Sequence, residues 1–80
     1  MKSIKFTKKI MDVNKVEKIC EQVSKIASLY PTVDYDGWGY DGETLELFFY
    51  SEMDQNFLLV AMDIEVLGFD ITIRDSVGGK

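Results

Sequence analysis

The residues whose types and spacing could do chemistry are five carboxylates packed into a short stretch, Asp34, Asp36, Asp41, Glu43 and Glu46, interleaved with Tyr35, Trp38 and Tyr40. Such a cluster can hold a divalent cation, supply a paired acid and base, or present a negative field to a basic partner. The first use demands a ligand order that is not met: counted from Asp34 as an EF-hand loop, position five is Trp38, six is Gly39 and twelve is Leu45, where an acid or amide, glycine and glutamate belong. The second demands a cleft that separates the two acidities, and carboxylates on a short exposed hairpin lack one. The third asks only for charge and for aromatic anchors ringed by polar groups, which Trp38, Tyr35 and Tyr40 supply. The plainer reading of Trp38 is that it simply caps the small core.

Other catalytic chemistries find little material. The chain has no histidine, so the commonest general base near neutral pH and the commonest metal ligand are missing. Cys20 lies between Ile19 and Val23 on an apolar stripe, where a small buried residue is expected rather than a reactive thiol. Gly37, Gly39 and Gly42 sit in a hairpin and form no phosphate loop. No basic-glycine-aromatic run of the RNA-recognition type is present, and Asp34, Asp36, Glu46 and Asp70 are expected to repel phosphate from any stacking surface at Phe48 and Tyr50. The expectation is a protein that is not an enzyme, with no cofactor, no metal and no direct nucleic-acid contact.

The net charge of −5 conceals a split. Residues 1–30 carry seven lysines against Asp12, Glu17 and Glu21, a balance of +4, whereas residues 31–80 carry eleven acids against Arg74 and Lys80, a balance of −9. A field of that sign attracts basic proteins and repels nucleic acid. The longest apolar run, Phe57 to Met62, falls far short of the roughly 20 residues needed to span a bilayer, so no membrane association is expected. A lone cysteine and the absence of a secretory leader suggest a cytoplasmic protein, in a host's cytoplasm if phage-encoded.

The elements that must position these residues follow from hydrophobic period. Ser3 to Lys8 alternates as a half-buried strand with Ile4 and Phe6 inward. Val13, Val16, Ile19, Cys20, Val23, Ile26, Ala27 and Tyr30 then line one face of a helix over about 13–29, capped by Asp12 and ended before Pro31. Asp41-Gly42 between two β-rich segments predicts a type I′ hairpin pairing Tyr40 with Glu43 and Trp38 with Leu45. That parity would bury Asp34 and Asp36, a conflict that a bulge at Gly37 or Gly39 removes by turning Val33 and Tyr35 inward. Residues 52–67 read best as a helix started by a capping box at Ser51 and ended by Gly68, with a strand hairpin centred on Leu67-Gly68 as the rival. Phe69 to Arg74 is a strand, and 76–80 a loose tail.

The resulting order, βαββαβ over one domain spanning 1–80, is similar to the ferredoxin-like α+β fold, an antiparallel four-stranded sheet with two helices on one face. The alternative, βαββββ, packs one helix on an all-antiparallel sheet. In size and charge the chain also resembles small acidic inhibitors encoded by phages and mobile elements, anti-CRISPR proteins among them. The acidic half set beside Trp38, Tyr35 and Tyr40 leads to the expectation of a non-enzymatic binding module and nucleic-acid mimic, engaging a basic, nucleic-acid-handling partner through Asp34, Tyr35, Asp36, Trp38, Tyr40, Asp41, Glu43 and Glu46. Two other readings stand beside it. One is a homo-oligomer, a homodimer for instance, formed through Leu58, Leu59, Met62 and Val66, which the second helix leaves outside. The other is a divalent-ion or small-ligand sensor built on the hairpin acids.

Overall fold

The computed structural model describes residues 2–75, so the tail at 76–80 lies outside the described residues. The elements are β1 (Lys2–Lys9), α1 (Val13–Ser28), β2 (Asp34–Tyr40), β3 (Thr44–Ser51), α2 (Gln55–Val66) and β4 (Asp70–Asp75). One antiparallel sheet has the order β2-β3-β1-β4, which is the ferredoxin-like arrangement. Residues 55–66 are helical, so the rival hairpin at Leu67-Gly68 is not formed.

Strand alternation explains the layering. Ile4 and Phe6 of β1 and Leu45, Leu47 and Phe49 of β3 point to one side and are buried. They meet Val16, Cys20, Val23 and Ala27 of α1 and Phe57, Val60, Ala61 and Ile64 of α2 in a single core. Both helices therefore cover the same face. Fully burying a large aliphatic or aromatic side chain stabilises by roughly 1.5–3 kcal/mol. An aromatic string crosses three strands, with Phe6 edge-on to Phe49 at 5.5 Å and Tyr35 stacked on Phe49 at 4.9 Å.

Helix ends are set by side chains. Asp12 accepts from the Asn14 amide at 3.0 Å to start α1, as expected. The capping box at Ser51 is not used. Ser51 is the fully buried last residue of β3, opposite Lys2, and it is Asp54 that starts α2 by accepting from the Phe57 amide at 2.9 Å. At the other end Gly68 takes a φ of 97°, and the Lys8 ammonium donates to the Leu67 carbonyl there while lying 6.0 Å from the Phe69 ring centre. A β-carbon on Gly68 would come within 2.9 Å of that ammonium.

The hairpin differs from expectation by two residues. Tyr40 pairs with Leu45 and Trp38 with Leu47, leaving Asp41, Gly42 and Glu43 between the strands, closed by the Asp41 amide donating to the Thr44 carbonyl at 3.4 Å. Only Gly42 has positive φ, so the turn is not type I′. The cause is Asp41, whose carboxylate accepts from the amides of Thr44 at 2.7 Å and Glu43 at 2.9 Å and so becomes the first corner of the turn. Because the shift is even, every side chain keeps its face. The expected bulge is present between Tyr35 and Gly37, with Gly37 at φ 118° and Asp36 as the extra residue. Tyr35 consequently faces Phe49, Asp34 faces Tyr50 on the open side, and Val33 is buried.

A β-carbon at Gly37 would meet nothing within 4 Å, so a side chain there costs only backbone strain. Gly37→Ala is expected to lower stability in urea by about 1–2 kcal/mol. A variant as stable as the parent would show that the bulge does not need positive φ.

Candidate partner-binding groove

The eight hairpin residues singled out by sequence do not form one surface. Tyr35, Trp38 and Tyr40 point toward the helices, whereas Asp34 and Glu46 point to the opposite, open face. Asp36 projects from the edge at the bulge, and Asp41 and Glu43 lie in the turn.

Several of the eight are engaged within the fold. The Tyr40 hydroxyl donates to the Ile10 carbonyl. Asp41 is held below the usual carboxylate range by the Thr44 and Glu43 amides it accepts. Glu43 pairs with Lys9 at 3.0 Å and Glu46 with Lys5 at 3.3 Å. Exposed pairs of this kind contribute little to stability, about 0–1 kcal/mol, but they neutralise the two acids as seen from outside.

The open sheet face is accordingly a mosaic and not an acidic plate. Read across β4, β1, β3 and β2, its rows run Arg74, Ser3, Tyr50, Asp34, then Thr72, Lys5, Phe48, Gly37, then Asp70, Thr7, Glu46, Gly39. Those rows hold three acids, Asp34, Glu46 and Asp70, against two cations, Arg74 and Lys5, which are diagonal neighbours on β4 and β1. Among the described residues no three carboxylates or thiols converge where they could hold a metal ion.

The helix side of the edge strand is different. Trp38, the sole tryptophan, is 47% exposed and lines a groove of about 340 Å³ with Glu17, Cys20, Glu21 and Ser24 of α1. Three principal facts bear on its chemistry. An indole face attracts a cation, worth about 0.5–2 kcal/mol depending on how dry the contact is. Glu17 and Glu21, one helical turn apart, line the same groove, and like charges at that spacing cost a helix a few tenths of a kcal/mol. Cys20, below them, is buried, its thiol is pushed up by desolvation, and it forms part of the groove's floor. The arrangement fits a lysine or arginine side chain. The glutamates were missed as site residues. Their only sequence signal is the i, i+4 spacing that brackets Cys20 on the inward stripe.

Beneath the groove, burial first and the nearby Cys20 second push the Tyr35 phenol up to about 12. Its oxygen is buried with no hydrogen-bond partner among the described residues. An orphaned buried hydroxyl costs about 1–3 kcal/mol. Tyr35→Phe is therefore expected to be at least as stable as the parent by thermal melting; a clear loss of stability would mean that the hydroxyl has found a partner.

No helix among the described residues is long and apolar enough to cross a membrane. Comparison of the chain with protein-family models and with curated proteins finds no match.

Proposed function

We propose that this chain is a small, acidic, non-enzymatic protein-binding module that grips a basic side chain of its partner between Trp38 and the carboxylates of Glu17 and Glu21. The observation that carries this reading is the half-exposed indole sharing a groove with two glutamates. Desolvated aromatic anchors with charge-complementary rims are what dominate protein–protein affinity. A partner that handles nucleic acid presents lysines and arginines already arranged for phosphate, and occupying them makes the module an inhibitor. The excess of acid in residues 31–80 supports that choice by steering such a partner at long range.

Trp38 reports on its own groove. Titrating a nona-arginine peptide should change the tryptophan emission, with binding that weakens as salt rises. Glu17→Gln combined with Glu21→Gln should weaken it about tenfold, which corresponds to about 1.4 kcal/mol. Asp34→Asn combined with Glu46→Gln, on the opposite face, should leave it nearly unchanged. Equal losses in both double variants, or an emission that never responds, would refute the groove as the site.

A second reading rests on α2. Leu58, Leu59, Met62 and Val66 are between 38% and 84% exposed on a helix that carries Asp63 and Glu65 but no lysine or arginine. An apolar stripe of this kind is complementary to itself, and a second copy could cover it about a two-fold axis. Sedimentation at micromolar concentration should then show a dimer that Leu59→Glu dissociates. A parent chain that stays monomeric removes this reading.

A further inference from the structure

The open face of the sheet holds a second concavity, about 200 Å³, lined by Ser3, Lys5, Phe48, Thr72 and Arg74. Its position follows from register: Ser3 lies opposite Arg74, Lys5 opposite Thr72, and Phe48 opposite Lys5 on the other flank. Arg74 and Lys5 are thus diagonal neighbours on adjacent strands, roughly 7–8 Å apart at the backbone, a gap that both long side chains can close over a single ligand.

We propose that this groove binds a small phosphomonoester, with the phosphate held by Arg74 and Lys5 and the organic part lying on the Phe48 ring. Four observations support that ligand class. Two cations match a dianion better than a monoanion, and a guanidinium meets phosphate oxygens through two parallel hydrogen bonds. Among the described residues Arg74 carries no ion pair, and the Ser3 and Thr72 hydroxyls make no hydrogen bond, so three donors face the groove unengaged by protein. The volume lies below the roughly 300–1,000 Å³ of sites for drug-sized ligands, which suits a phosphate bearing one ring. Lys5 is engaged with Glu46, but both are more than a third exposed and the pair is solvent-screened, so a dianion can displace the carboxylate.

Asp34, Glu46 and Asp70 share this face and oppose a phosphate near Phe48, so binding there requires that Arg74 and Lys5 outweigh them locally. Glu46 also competes for the same lysine, and its removal has a defined sign. The site lies on the face opposite Trp38 and does not depend on the groove there.

Amide chemical shifts followed during titration with phenyl phosphate, and separately with inorganic phosphate, test the proposal. Millimolar binding is expected, with shifts concentrated at Ser3, Lys5, Phe48, Thr72 and Arg74, and with phenyl phosphate binding more tightly than inorganic phosphate. Arg74→Gln, a change at an exposed position that the fold tolerates, should weaken phenyl phosphate about tenfold or more. Glu46→Gln should strengthen it. Shifts centred on the lysines of α1, equal binding of both anions, indifference to Arg74→Gln, or no shifts at millimolar ligand would each overturn the assignment.

Discussion

Everything distinctive about the edge of this sheet depends on one extra residue in β2. Without the bulge at Asp36, a strictly alternating strand that turns Trp38 toward the helices would turn Asp34 and Asp36 toward the core as well, where unpaired carboxylates cannot stay ionised at tolerable cost. With it, Tyr35 and Trp38 both face the helices, Asp34 faces solvent, and Asp36 takes no place in the ladder. Glycine at 37 makes this possible because the bulge requires a φ of 118°. The stacking of Tyr35 on Phe49 and the placement of the indole over α1 are both downstream of that single backbone event.

The rest of the architecture is conventional burial. β1 and β3 occupy the middle of the sheet and contribute the most deeply buried strand residues, while β2 and β4 form the edges and carry the partly exposed ones. Ile73, at 41% exposure, shows how quickly the core thins toward β4. A domain of this length has no interior to spare, so its distinctive chemistry lies on its surfaces: an aromatic groove with acids on one side and a pair of cations among hydroxyls on the other.

Element order, the span of α1, the inward sets of β1 and β3 and the need for a bulge were legible in the sequence, because each is written in local period or in a local conflict between charge and burial. The register of the hairpin was not, since Asp41-Gly42 reads as a turn centre until the carboxylate of Asp41 is seen accepting two amides as the corner. Ser51 misled for a related reason: pairing with Lys2 across the sheet draws it into β3, and Asp54 takes over as cap. The electrostatic picture was the least legible part. Counting charges by chain half treated Lys5 and Lys9 as distant from Glu46 and Glu43, but antiparallel pairing of β1 with β3 brings each lysine beside an acid some forty residues away or closer. Conversely, Glu17 and Glu21 belong to the lysine-rich half and still line an acidic groove beside Trp38.

The strand order has a consequence for how the chain assembles. β1 is made first, yet one of its flanks is covered by β3 and the other by β4, which is made last. As the polypeptide emerges, helices and the β2–β3 hairpin can condense on β1 while its remaining row of amides and carbonyls stays bare. That row is a sticky border of the kind that invites pairing with a neighbouring chain. Lys8, reaching from β1 to the Leu67 carbonyl at the end of α2, ties the segment that leads into the final strand to the strand it will pair with.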